Sequence, residues 1–114
     1  MLRIHDVMLD VIRQLRPIVG EIERRDRDLA SQLRRAASSV ALNLAEGSGS
    51  HAGNRTQRYR TALGSARESL SCLRTAEAWG YIDSVPQPIV ASMNRVIGTL
   101  VVVKIGRASC RERV

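Results

Sequence analysis

The chain has 114 residues, which suits a single domain, and 44% of them are hydrophobic, enough to build a core. Aromatic residues make up only 3% and phenylalanine is absent, which argues against an all-β domain and favours helices packed through aliphatic side chains. The formal net charge of +7 favours an acidic partner, nucleic acid before an anionic membrane; the alternative is a basic protein with no such partner.

Features that the sequence lacks narrow the function further. The N-terminus carries His5, Asp6 and Asp10 where a secretory signal needs an apolar segment, and no apolar run approaches the roughly 20 residues of a membrane-spanning helix. Cys72 and Cys110 suffice for neither a disulfide framework nor a metal site. We therefore expect a cytoplasmic protein with no metal, no cofactor and no membrane partner.

The first predicted helix follows from apolar residues spaced alternately four and three positions apart, the pattern of a helix in a bundle. Pro17 lies within it and predicts a kink, because proline removes a backbone hydrogen bond and clashes with the preceding turn. The apolar series is Ile4, Met8, Val11, Leu15, Ile18 and Ile22.

The second predicted helix begins near Asp26 to Asp28, after the charged stretch at residues 21–28, because an acidic residue caps a helix N-terminus. Gly47 predicts a left-handed C-terminal cap, with a polar loop over residues 47–54. The apolar series is Leu29, Leu33, Ala36 or Ala37, Val40 and Leu44.

The third predicted helix runs from about Arg55 to Trp79 and ends at Gly80, and the fourth opens around Pro86 or Pro88, since proline is tolerated in a first turn. Four helices with short connections predict an all-α, antiparallel up-down-up-down four-helix bundle over residues 1–104. The expected buried series are Tyr59, Leu63, Ala66, Leu70 and Leu73 in the third helix, and Ile89, Met93, Val96 or Ile97, Leu100 and Val101 in the fourth.

The last ten residues, 105–114, break the helical pattern. They match, residue for residue, a translation of a common short-read sequencing adapter, so we expect a tail that is not native. This tail contributes a net charge of +2 and contains Cys110, so the rest of the chain keeps a net charge of +5 and a single cysteine.

A polar stripe accompanies the apolar side of the second helix. Arg35, Ser39, Asn43 and Glu46 fall within about 80° of one another on a helix that turns 100° per residue. We expect an architectural hydrogen-bond network, in which Asn43 crosses to the third helix near Gly64 and Ser65 and Glu46 bonds the backbone of the following loop.

The alternative interpretation of Asn43 and Glu46 is a catalytic site, but the sequence offers no partners for one. The two histidines, His5 and His51, lie on the first helix and in the predicted loop. No metalloprotease motif, useful carboxylate pair or nucleophile elbow is present. We therefore expect no catalytic residues and no enzyme activity.

Three segments of the chain carry a recognisable pattern: QLRRAA at residues 32–37, the N-x-A-E-G pattern at Asn43–Gly47, and ALGSARE at residues 62–68. Together they resemble the 23S rRNA intervening-sequence protein family. The resemblance covers roughly residues 5–103. It implies a four-helix bundle that often assembles as a homopentamer. A similar fold serves as the accessory protein of diversity-generating retroelements, so RNA, DNA or a protein such as a reverse transcriptase is the implied partner.

A basic surface on the third helix is the expected nucleic-acid-binding site. Arg60, Arg67 and Arg74 recur every seven residues and drift only about 20° per heptad, so they form one stripe. Arg55 and Arg58 are expected to extend it at the helix start. Such a surface contacts phosphates and provides affinity without sequence readout.

Two alternatives to this function stay open at this point. The stripe can be a solvated face, partly neutralised by Glu68 and Glu77. The protein can also be an interaction scaffold whose arginines meet an acidic surface on a partner protein. No aromatic residue interleaves the stripe, which argues against a stacking platform for single strands.

Overall fold

Four helices make up the part of the chain that the computed structural model describes, residues 3–49 and 51–104. They are α1 (Ile4–Glu23), α2 (Arg27–Ser48), α3 (Ala52–Ala78) and α4 (Gln87–Lys104), and no strand occurs among these residues. Each helix packs against its neighbour in sequence, and α4 returns to α1, which closes an antiparallel four-helix bundle. The predicted all-α, up-down-up-down architecture is confirmed. The predicted tail at residues 105–114 lies outside the described residues.

The core is aliphatic, and each helix contributes to it. Met8, Leu33, Leu73 and Met93 are fully buried, one from each helix. Of the three aromatic side chains in the sequence, only Tyr59 is buried in the core. Burial of methyl and methylene groups is therefore the main stabilising term, as the composition predicted.

The buried side of each helix drifts away from the predicted series at several positions. A spacing of 3.5 residues rotates by about 20° per heptad against a straight helix, so the core-facing side chain changes along the helix. α1 also runs unbroken through the exposed Pro17, and the kink there stays a prediction. Val19 and Ala30 are buried where Ile18 and Leu29 were expected, and Leu70, Ile97 and Val101 are half-buried.

Two helix ends match the sequence predictions. The Oδ1 atom of Asp26 accepts a hydrogen bond from the backbone N–H of Leu29 at 2.9 Å, which caps α2. At the C-terminal end of α3, Gly80 has a φ of 80°. The Tyr81 N–H then bonds the Ala76 carbonyl at 2.9 Å, the hydrogen bond of a Schellman cap.

The prediction that Gly47 caps α2 is wrong. α2 continues to Ser48, and Gly47 lies buried inside the helix, so the connection to α3 is shorter than the predicted loop. The ring of Tyr59 packs directly on the Gly47 backbone: a Cβ atom built on Gly47 would lie 2.8 Å from Cδ1 of Tyr59 and overlap Cε1. Glycine is needed here for close approach of the ring, and burial of that ring stabilises the added turn of α2.

Gly47→Ala should therefore destabilise the fold by about 1–3 kcal/mol, because the ring must move out of a packed core. Gly64→Ala is the matched control, since Gly64 lies exposed within α3 and an added Cβ meets nothing within 4 Å. The control should stabilise the helix by roughly 0.5–1 kcal/mol. Urea denaturation of both variants measures the difference, and equal effects of the two substitutions would contradict the packing argument.

Candidate functional site

A chain of hydrogen bonds joins α2 to α3 through Ser39. The hydroxyl of Ser65 donates to Oγ of Ser39 at 2.8 Å. The amide Nδ2 of Asn43 donates to the same Oγ at 3.1 Å and to the Ser39 carbonyl at 2.9 Å. Asn43 thus reaches Ser65 through Ser39, where the sequence analysis placed a direct crossing, and its direct contact with α3 is to Arg58.

Arg58 of α3 contacts both Asn43 and Glu46 of α2. Its Nη1 atom lies 2.9 Å from Oε1 of Glu46 and 3.5 Å from Oδ1 of Asn43. The side chain of Glu46 is 54% exposed and that of Arg58 48% exposed, so water screens their ion pair and its contribution to stability is small. Asn43 is partly buried, whereas Glu46 is exposed.

An open groove of about 500 Å³ lies over this network on the outer surface of α2. Arg35, the remaining member of the predicted stripe, lines the groove beside Leu42, and both are exposed. No side chain lining the groove is a histidine or cysteine, so it offers no nucleophile with an adjacent imidazole base. The architectural role of this network stays a prediction.

The second feature is the row of Arg60, Arg67 and Arg74, which we call the basic face. All three are exposed on α3. Neither the Arg34–Glu23 ion pair nor the Arg58–Glu46 ion pair involves any of these three arginines. The carboxylate of Glu68 accepts a hydrogen bond from Nε2 of Gln32 at 3.1 Å. The basic face therefore keeps its charge available for a partner.

Arg55 and Arg58 do not extend the basic face. At 100° per residue, Arg58 lies about 160° around α3 from Arg60, on the side that packs against α2. Its ion pair with Glu46 follows from that position. Arg55 is half-buried, whereas the members of the basic face are exposed. A binding role for these two arginines stays a prediction.

An apolar flank of the basic face escaped the sequence analysis. Leu70 and Ile97 line a groove of about 410 Å³ between α3 and α4, together with Arg67 and Arg74. Both apolar residues were assigned to the core, yet both are half-buried. Ile97 lies towards the edge of its apolar series, which was an available signal, whereas Leu70 lies in the middle of its own series and gave none.

A pair of aromatic rings at one end of the bundle also escaped it. Trp79 is 69% exposed and stacks on Tyr81, with ring centroids 6.4 Å apart and planes 18° from parallel. Asp26, in the connection between α1 and α2, lies near the Tyr81 phenol, and desolvation followed by this carboxylate raises the pKa of the phenol. The sequence analysis gave Trp79 only as the last residue of the third predicted helix.

Cys72 has no sign of reactivity. It is buried in the core, and burial, followed by the charge of Glu68, raises the pKa of its thiol. A raised thiol pKa leaves less of the nucleophilic thiolate at neutral pH. Within residues 3–49 and 51–104, no His, Cys, Asp and Glu side chains form a group of three or more able to hold a metal ion. None of the four helices, in the part described, has the length and apolar character to cross a membrane.

The sequence profile of the 23S rRNA-intervening sequence protein family matches residues 5–100 of the chain. The chain belongs to this family. No curated protein matches it. The crystal structure of a protein with unknown function from the S23 ribosomal protein family of Bacteroides thetaiotaomicron VPI-5482, at 1.70 Å resolution, is similar, with a TM-score of 0.75 and 14% sequence identity. The alignment covers 89% of this chain and 97% of that one, and at this identity the likeness shows the shared fold alone.

The network around Arg58 yields a prediction for the stability of this family member. Asn43→Ala should cost about 1 kcal/mol, because it removes one hydrogen bond each from the partly buried hydroxyl and carbonyl groups of Ser39. Glu46→Ala should cost less than about 1 kcal/mol, because its ion pair is exposed. The double variant should be non-additive, since both side chains contact Arg58.

Thermal denaturation of Asn43→Ala, Glu46→Ala and the double variant measures the three losses of stability as a double-mutant cycle. Ser38→Ala is the matched control, because Ser38 lines the same groove and is exposed. Its effect should stay within about 0.5 kcal/mol. Additive losses for Asn43→Ala and Glu46→Ala would show that the two residues belong to separate interactions.

Proposed function

We propose that this member of the 23S rRNA-intervening sequence protein family is a non-enzymatic, oligomeric protein that binds the backbone of RNA or DNA through its basic face. The observation that carries the proposal is the exposure of Arg60, Arg67 and Arg74 in one row, with neither described ion pair occupying them. A bound phosphate backbone releases counterions as each arginine replaces them, which supplies affinity independent of sequence.

The residues between the arginines support contact with a broad, rigid surface. Gly64, Ser71 and Ala78 follow the three arginines by four positions each and are exposed on the same side of α3. Because these side chains are short, the guanidinium groups project furthest from this face. A phosphate backbone can then approach all three without steric obstruction from their neighbours.

The exposed apolar residues support the oligomeric part of the proposal. Leu42, Trp79 and Val102 are 63%, 69% and 52% exposed in the isolated chain. Association that covers such residues is favourable in proportion to the apolar area removed from water. Assembly also multiplies the basic face, and several copies on one nucleic acid bind far more tightly than one. The family resemblance implies a homopentamer.

A protein-interaction scaffold is the second candidate function. The observation that favours it is the apolar flank, where Leu70 and Ile97 lie beside Arg67 and Arg74. An acidic amphipathic helix would match both the charge and the apolar groove. Binding to nucleic acid, and its dependence on salt, separates the two candidates.

Replacing Arg60, Arg67 and Arg74 together by Gln should weaken binding to RNA or DNA and flatten the slope of log K against log salt by roughly 2 to 3, because three phosphate contacts are lost. Fluorescence anisotropy at several salt concentrations measures this slope. The matched control replaces Arg13, Arg24 and Arg27, which are also exposed, and so removes the same charge elsewhere. An unchanged slope in the first variant would exclude the basic face as the binding site.

Light scattering should show an assembly larger than the 12.6 kDa chain at micromolar concentration. Replacing Leu42 by Ser should shift the distribution towards the monomer if α2 contributes to the interface, because the substitution removes exposed apolar area. A single species of 12.6 kDa for the unaltered chain would contradict the oligomeric part of the proposal.

A further inference from the structure

The basic face offers charge without a surface on which bases can stack. Tyr59 is buried against Gly47 of α2, and Trp79 lies at the end of α3, about 140° around the helix from Arg74. Proteins that hold single strands combine a basic groove with aromatic rings on which successive bases stack. The basic face meets the first of these requirements and not the second.

The basic face is also regular and held rigidly. Its three arginines come from consecutive heptads of one uninterrupted helix, and the opposite side of that helix is buried through Ala62, Ser69 and Ala76. With a rise of 1.5 Å per residue, the arginine Cα atoms are about 10.5 Å apart and the row spans about 21 Å. A fixed row of charges matches a partner whose phosphates are themselves held in fixed positions.

A duplex is that partner, for two physical reasons. It carries one charge per roughly 1.7 Å of its axis, so it holds a denser layer of counterions for the arginines to release than a single strand does. Its phosphates are ordered before binding, whereas a flexible strand loses conformational freedom when it is aligned along the row.

We infer that the basic face binds double-stranded nucleic acid, RNA or DNA, in preference to single strands. The inference rests on the proposed function and adds to it the class of nucleic acid. Its contacts go to the phosphates, so the preference follows the form of the nucleic acid and not its sequence.

Fluorescence anisotropy with the full chain tests the preference on two probes. One is a duplex of about 20 base pairs, which exceeds the roughly 21 Å row at 3.4 Å per pair, and the other is one of its strands with no self-complementary segment. Three contacts to duplex DNA predict a slope of log K against log salt near −2.7, which is about a 40-fold loss of affinity between 50 and 200 mM salt. The same three contacts to the single strand predict a slope near −2.1.

The expected result is tighter binding of the duplex at every salt concentration. The triple Gln variant of Arg60, Arg67 and Arg74 should lose that binding, whereas Trp79→Ala and the control at Arg13, Arg24 and Arg27 should retain most of it. Equal or tighter binding of the single strand overturns the inference, and so does loss of duplex binding in Trp79→Ala. Failure of the unaltered chain to bind either probe at 50 mM salt overturns the proposed function itself.

Discussion

The contact between the Tyr59 ring and the backbone of Gly47 is the constraint on which the rest of the molecule depends. It lets α2 continue to Ser48 and lets α3 begin at Ala52, so the two longest helices pack along nearly their whole length. The ring fills space that an alanine at position 47 would occupy, and it is 1% exposed. Close packing of this kind tolerates little change in volume at either residue.

The polar contacts between α2 and α3 follow from that close approach. Ser39 and Ser65 come within hydrogen-bonding distance because both side chains are short, and Asn43 adds its amide to the same oxygen. One turn further along, Glu46 lies opposite Arg58. A satisfied polar chain inside a mostly aliphatic interface favours one register of the two helices over others, since a slipped register would leave buried groups unpaired.

The same packing sets the character of the outer surface of α3. Burial of Ala62, Ser69 and Ala76 on the opposite side of α3 turns Arg60, Arg67 and Arg74 towards solvent as a group. Arg58, only two positions from Arg60, points to α2 and is neutralised there. One helix thus carries both a structural arginine and a row that keeps its charge, and the distinction comes from helical phase alone.

The sequence predicted most of the fold, and its errors have identifiable physical causes. The start of α2 at Asp26 and the end of α3 at Gly80 depend on local backbone chemistry, which sequence patterns report well. Gly47 was wrongly predicted to cap α2, because the sequence alone does not distinguish a glycine that lets a distant aromatic ring pack on the backbone from a glycine that ends a helix. The basic face was predictable from its seven-residue spacing. The roles of Arg58, Trp79 and Leu70 were not, because each depends on a side chain contributed by another part of the chain.

Residue-resolved amide hydrogen exchange tests most directly whether the α2–α3 pair is the rigid base of the molecule. Amides of Leu44, Gly47 and Tyr59 should exchange only through large-scale unfolding, and protection should persist to the last turn of α2, because the Tyr59 ring covers it. Protection of residues 40–47 as strong as that in the middle of α3 is the result that this account predicts. Exchange at Gly47 as fast as in an unstructured peptide would show that α2 ends early and would contradict it.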